Sequence, residues 1–525
     1  MLEKISDLKV VKRISAINEC QLQWLLTLVA ALITCRVIYI QHGWINDDSV
    51  LYFEVARLFS LNEWKQGFAL YNWPLFPALI AIIQKISGIG FQHAAQLLNV
   101  LFFSLTTFSF ITLIRLAGGN KTTIACGAAL LFSSPYISGD ILSMLLRDQG
   151  FWACFLTSIA FFFKFYRDGK LKDCLQWQVF ATFAVLFRIE AVIFLTCLPF
   201  VLLTDSTIEV SVRIRRVLKC HLLTILLGLL GIATAIFIPS IKLSDFGRIQ
   251  EIFNLFDYTS LKISHDLATK SQVVGQQILG DFLDEYGLFG LVLTLIGIVL
   301  VKSMSTAGWL TVGLIAGTRK TVLPTLDKGV RKLILWVALL ALLNAYVIIL
   351  STFVLSGRYL IALAFMLLIL AAFSLASLLK RFRTHPNPDY KQKGLIFLII
   401  IVMSGSLMSN LAAKKHGYNY EQDAVRFVKQ LNPYNDNIFY VSPRARYYAG
   451  APYLGRGYNY WSFVSKAISD GSIQQYDYLV INMNNDHPER ETQLIEALPN
   501  HELIKQFVGF KAKKKMMIFS RKQRK

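Results

Sequence analysis

The sequence predicts a multi-pass α-helical membrane protein with about eleven transmembrane helices, followed by a small soluble α/β domain. Two observations carry this. Apolar runs of spanning length recur from residue 23 to residue 411, and the pattern changes in kind at residue 412. Composition agrees: 54% of residues are hydrophobic and only 17% charged, where ordinary soluble domains carry about 25% charge.

A spanning helix needs about 20 mostly apolar residues. Candidates lie near 23–41, 93–117, 122–138, 149–166, 174–187, 191–204, 220–239, 284–302, 333–353, 359–379 and 394–411. The first follows a short basic stretch, keeps Arg36 and has no clear small-residue cleavage site, so it reads as a retained span rather than a removed signal peptide. Basic clusters separate many of the runs: four Lys/Arg in residues 1–13, four in 164–173, four in 213–219, five in 319–332 and five in 380–393. The positive-inside rule puts these loops in the cytoplasm. The opposite loops differ, with 42–72 holding Arg57 and Lys65 against Asp47, Asp48, Glu54 and Glu63. Residues 74–87 are apolar but short and open with two prolines. Read as an interfacial or re-entrant helix rather than a crossing, they leave every basic cluster inside. Residues 308–317 are a similar fragment that the pattern does not place.

The expected domains are therefore 1–411, transmembrane, and 412–525, soluble. In the latter, strand-like stretches at 437–441, 478–481 and 516–519 alternate with helical patterns near 421–431 and 489–499. Eleven crossings place this domain outside the cytoplasm. Its basic tail either rests on anionic headgroups or is an amphipathic last strand with a solvated end.

Several function classes drop out. The net charge of +21 sits in short clusters between apolar runs, which argues against a nucleic-acid partner. Seven cysteines form no CxxC pair, and the histidines (His42, His93, His221, His265, His416 and others) show no paired ligand spacing. There is no GxxxxGK[ST] loop and no GxGxxG after a strand, so soluble nucleotide chemistry has no support.

The candidate chemistry lies in charged residues at the ends of spans, where ionisable groups are costly and tend to be functional or paired. Asp47 and Asp48 follow the first span. Tyr52, Glu54, Ala56 and Arg57 continue on an amphipathic helix, and Gly67, Tyr71 and Trp73-Pro74 come next. Further on stand Ser134-Pro135, Arg147-Asp148-Gln149, Phe187-Arg188-Ile189-Glu190 and Gly357-Arg358-Tyr359-Leu360. The plain structural alternative for Arg147–Asp148 and Arg188–Glu190 is a local salt bridge sealing a helix end.

These motifs resemble the GT-C superfamily of membrane glycosyltransferases, in particular the bacterial relatives of dolichyl-phosphate-mannose protein mannosyltransferases and the aminoarabinose transferases. The Asp47-Asp48 pair resembles the family's first-loop acidic pair, with Asp48 where Glu is commoner. A "PP" element is reduced to Pro74 and Pro77. Arg147-Asp148-Gln149 resembles the second acidic motif, with Asp140 as competing candidate. Phe187–Glu190 resembles its Arg-Pro-Glu stretch with Ile189 for proline, and Arg358-Tyr359-Leu360 its Arg-Tyr-Leu motif. The resemblance covers most of the chain in architecture through short, degenerate motifs.

The resemblance implies an inverting transferase in a bacterial inner membrane, with its N-terminus cytoplasmic and its active site and C-terminal domain periplasmic. It moves a hexosyl or pentosyl group from a polyprenyl-phosphate donor to a lipid, glycan or protein acceptor. Asp47, with Asp48, is the catalytic carboxylate and takes the acceptor's proton. Arg147, Asp148, Arg188, Glu190, Arg358 and Tyr359 bind donor phosphate or substrate, guanidinium suiting phosphate through its two-pronged donation. No cofactor is required by the sequence; a divalent cation, Mg or Mn by ligand type, held by Asp48 and Asp148 is kept open. The expected partners are the lipid-linked donor and membrane lipids, with oligomeric state undetermined. Two competing readings are a transporter or flippase of lipid-linked glycans, which predicts repeat symmetry and midplane charges, and a non-catalytic membrane protein that binds through its C-terminal domain.

Overall fold

A computed structural model describes residues 17–237, 263–322, 326–384, 389–413, 417–434, 437–455 and 459–522. The basic cluster of 1–13, most of the loop at 240–283, His416 and the last three tail residues lie outside the described residues.

The chain is an integral membrane protein, mostly helical, with a small C-terminal sheet. Among the described residues, six helices are long and apolar enough to cross a membrane: Glu19–Ile40, Phe91–Leu116, Asp284–Ala307, Lys328–Thr352, Gly357–Thr384 and Tyr390–Leu411. Lys121–Phe132 and Pro135–Ile141 make a seventh if counted as one span bent by 44°. Pro135 explains the break, since proline cannot donate into the preceding turn. Helical backbone occupies the remaining expected positions without meeting that test. Asp148–Asp168 has the length, but nearly all of it is buried in protein and it starts with polar residues. Leu171–Phe187 has 17 residues, Ile189–Thr204 is short and switches between tight and regular turns, and Leu222–Phe237 has 16. Of the eleven expected spans, six helices, or seven with the bent pair, have spanning length and apolarity among the described residues. Residues 308–317 fall in a further helix, Trp309–Val322.

The chain divides into two compact units: residues 1–35, 97–143 and 147–411, and residues 36–96, 144–146 and 412–525. Residues 36–96 and 144–146 thus group with residues 412–525.

In the first unit, Ile361–Thr384 is the central helix. Residues from Ile361 to Ala376 are mostly buried, and Phe365 meets Trp152 edge-on at 6.0 Å and Phe110 at 6.2 Å. Outer helices present apolar side chains instead: Leu32 on Glu19–Ile40 is 61% exposed and Phe397 on Tyr390–Leu411 66%. Such surface is stable only against lipid or another apolar partner. Two helices carry charged side chains at both ends. Asp148–Asp168 has Asp148 at its start and Arg167 near its end. Gly357–Thr384 has Arg358 at its start and Lys380 and Arg383 near its end. At 1.5 Å per residue these charged ends are about 30 Å apart, one hydrocarbon thickness. Basic side chains from separate loops converge: Arg167 and Arg216 line one cavity, and Arg167, Lys380 and Arg383 another that adjoins it.

In the second unit, four strands, β1 (Ile438–Tyr440), β2 (Tyr478–Asn484), β3 (His501–Val508) and β4 (Lys514–Arg521), form a sheet of order β1-β2-β4-β3. β1 and β2 are parallel; the other pairs are antiparallel. β4 is central, and Met516 to Phe519 are buried on alternating faces: Met517 and Phe519 pack with Leu479 and Leu494, Met516 and Ile518 with Val425 and Val428. The tail therefore follows its strand alternative. β3 was not expected, because as an edge strand its side chains are mostly exposed and its sequence is polar.

The first loop of this unit folds as Asp47–Ser60, Trp64–Leu70 and the 13-residue helix Leu75–Ser87. Tyr52 joins them, packing on Tyr71 at 5.6 Å and edge-on to Phe76 at 5.4 Å. The helix Pro443–Ala449 docks onto the same loop. Tyr448 accepts from the Ile45 N–H at 3.1 Å and donates to the Gly43 carbonyl at 3.3 Å, while Tyr447 reaches Gln92 at 3.3 Å.

Candidate active site

Two ion clusters stand out, one in each unit. The first is built around Asp148. Helix Leu171–Phe187 ends where Arg188 takes an extended conformation, φ −145° and ψ 118°, before the tight turn Ile189–Ala191. The gap between the candidate spans 174–187 and 191–204 thus holds a helix break at Arg188, with Ile189 next in the chain. Gly150 allows Phe187 to pack against the start of Asp148–Asp168, since a Cβ there would collide with the Phe187 ring. Arg188 is thereby delivered to Asp148, with which it makes a buried ion pair. Its other prong reaches Glu190 at 3.3 Å, and the guanidinium lies 4.8 Å from the centre of the Tyr359 ring.

Arg358 lies 3.7 Å from the other oxygen of Asp148. It sits in the turn Gly357–Leu360, where Ser356 caps the Arg358 N–H at 3.4 Å. Gly357 is needed there because a Cβ would come within 2.6 Å of the Tyr136 ring. Asp148 and Arg188 are 1% and 5% exposed, whereas the Arg358 side chain is 34% exposed. Arg188 is committed on both prongs and one face. Arg358 keeps surface toward solvent. Arg147 is half-buried at the cap position of Asp148–Asp168, and Asp140 is exposed.

The second cluster is built around Asp47. Asp47 and Asp48 form the first turn of Asp47–Ser60, where the helix dipole favours carboxylates. Asn46 positions that turn, accepting from Ser49 Oγ at 2.5 Å and from the Leu145 N–H at 3.2 Å. Asp48 is exposed, and the Asp47 side chain is 58% exposed, with its Oδ1 2.9 Å from Arg444 Nε. Arg444 also reaches Glu421 at 2.6 Å, and the nearly buried Glu421 accepts from Ser442 at 2.7 Å and Tyr420 at 2.8 Å. Burial works against the Arg444 charge, but Glu421 and Asp47 outweigh it and hold its proton more tightly than usual. Burial, reinforced by Asp47 and Glu421, pushes the Tyr460 phenol up to about 12, so it stays a neutral hydrogen-bond partner at physiological pH. Arg444, Glu421 and Tyr460 were not among the expected site residues. Ser442-Pro443 marks a helix start in the sequence, but nothing local ties Arg444 to Asp47.

The donor set does not fit the cation expectation. Both oxygens of Asp148 face guanidinium groups. Among the described residues no group of three His, Cys, Asp or Glu side chains is arranged to hold a metal.

No protein-family model matches the chain, and no curated protein matches it by sequence. Solved structures do. ArnT from Cupriavidus metallidurans, bound to undecaprenyl phosphate, aligns at a TM-score of 0.51 and 13% identity, over 94% of this chain and 97% of that one. The chain has the GT-C fold. The archaeal oligosaccharyltransferase AglB from Archaeoglobus fulgidus, in complex with an inhibitory peptide and a dolichol-phosphate, aligns at 0.49 and 12% identity, over 95% of this chain and 74% of that one. ArnT in the apo state aligns at 0.48 and 12%, over 94% and 97%. The likeness to ArnT bound to undecaprenyl phosphate bears on the fold alone; the residues of the two clusters are this chain's own.

Proposed function

We propose that the protein is a glycosyltransferase that moves a sugar from a polyprenyl-phosphate donor to a hydroxyl acceptor at the non-cytoplasmic membrane face. The observation that carries this reading is the exposed, Arg444-paired Asp47 at the head of the first loop helix, on a chain with the GT-C fold. The undecaprenyl phosphate bound to ArnT supports a lipid of that class as carrier.

The acceptor oxygen attacks the anomeric carbon while Asp47 takes its proton. The bond from that carbon to the phosphate oxygen breaks, and polyprenyl phosphate leaves with the electron pair. One displacement inverts the anomeric centre. Arg358 is the guanidinium that meets the leaving phosphate, because it retains exposed surface. Arg188, Asp148, Glu190 and Tyr359 hold it in place. Asp48 adds negative charge beside Asp47, and Arg147 flanks Asp148. No step runs through a metal. The location is a bacterial inner membrane, with the C-terminal unit in the periplasm. The sugar is a hexose or pentose, and the acceptor a lipid, glycan or protein.

The test uses purified protein in lipid with a panel of radiolabelled polyprenyl-phosphate sugars. Release of free polyprenyl phosphate supports the transferase. Movement of donor between leaflets with no release from any donor contradicts it and favours the flippase.

A further inference from the structure

A second site lies at the far end of the bundle from Arg358. A cavity of about 1020 Å³ opens among the ends of five helices of the first unit. Arg167, Lys380 and Arg383 line it, against one carboxylate, Asp327. That carboxylate already caps a helix, accepting from the Gly329 and Val330 N–H groups at 2.9 and 3.1 Å. The polar wall adds Asn120 and the Thr122, Thr123, Ser377 and Thr384 hydroxyls, and an apolar wall is formed by residues that include Leu116, Phe373 and Ala376. A cavity of about 230 Å³ shares Leu116, Arg167, Asp327 and Val330 with it and brings in Arg216 and Asp205.

Cations and hydroxyls around an apolar wall match one ligand chemistry. Phosphodiester oxygens meet guanidinium and ammonium groups, glycerol hydroxyls meet threonine and serine, and the first acyl carbons meet leucine and phenylalanine. The volume exceeds what inorganic phosphate fills and suits a lipid headgroup. We infer that this cavity binds the headgroup of an anionic phospholipid at the end of the bundle opposite Arg358. The inference is independent of the proposed transfer reaction, and it assigns a task to basic loops that topology alone explains only as orientation signals.

The test is native mass spectrometry of the full chain, purified in neutral detergent and mixed with dioleoyl-phosphatidylglycerol or dioleoyl-phosphatidylcholine. Wild type should retain phosphatidylglycerol preferentially. Lys380→Gln should cut that preference roughly fivefold, and Lys380→Gln with Arg383→Gln roughly twenty-five-fold. Lys380→Arg should leave it intact. Thermal unfolding of each variant in phosphatidylcholine controls for folding, and these exposed side chains should leave it unchanged. Equal retention of both lipids by wild type, or an undiminished preference in the double variant, overturns the inference. Displacement of the lipid by millimolar inorganic phosphate or pyrophosphate also overturns it, in favour of a soluble phosphate ligand.

Discussion

Asp47 and Asp148 are both carboxylates at helix starts, each paired with arginine, yet their surroundings are opposite. Asp148 is enclosed, with both oxygens facing guanidinium groups and 1% of the residue exposed. Asp47 meets one guanidinium, which it shares with Glu421, and most of its side chain faces solvent. An enclosed carboxylate between two guanidinium groups holds its partners in place and has little access to a substrate hydroxyl. An exposed one at a helix N-terminus can meet a hydroxyl. Under the proposed reading, Asp148 positions its neighbours and Asp47 takes part in the chemistry.

The sharpest way to break the comparison is to remove the arginines. Arg188→Ala leaves Asp148 and Glu190 without their shared cation. It should cost about 3–5 kcal/mol, read as a fall in the denaturant or thermal unfolding midpoint in detergent. Arg444→Ala strands Glu421 and should cost a similar amount, this time with loss of protease resistance in the C-terminal unit. If both variants unfold like wild type, the clusters are not the supports described. Arg358→Ala should separate binding from stability. Its partly exposed pair contributes at most about 1 kcal/mol to folding, while release of polyprenyl phosphate should slow about a hundredfold. Gly357→Ala pushes on the Tyr136 ring and should destabilise by about 1–3 kcal/mol. Ser49→Ala removes the hydroxyl bonded to Asn46 and to the Leu145 carbonyl; a loss of about 1 kcal/mol is expected, seen as a small shift in the unfolding midpoint.

The Asp148 cluster was largely legible in the sequence. Arg147-Asp148, Arg188-Ile189-Glu190 and Arg358-Tyr359 are charges at the ends of apolar runs, where the cost of burial makes them conspicuous. The Asp47 cluster was half legible. Asp47 stands out after the first span, but Arg444 and Glu421 belong to a polar segment where charges are ordinary, and their pairing exists only in three dimensions. The fold shows the same division. Buried strands such as Met516–Phe519 declare themselves by continuous apolar side chains, whereas the exposed edge β3 and the short docking helix Pro443–Ala449 carry no periodic signal. The helical regions were legible, but which of them have lipid-facing length depends on neighbours, as the buried Asp148–Asp168 helix illustrates.

The most direct test compares Asp47→Asn with Asp148→Asn in lipid, measuring donor binding, unfolding midpoint and release of polyprenyl phosphate together. Asp47→Asn should bind donor and unfold like wild type while turnover falls by about 10²–10⁴. Asp148→Asn should lower the unfolding midpoint and weaken donor binding. Wild-type turnover in Asp47→Asn, or an abolished turnover in Asp148→Asn with stability and donor binding intact, would contradict the assignment of chemistry to Asp47.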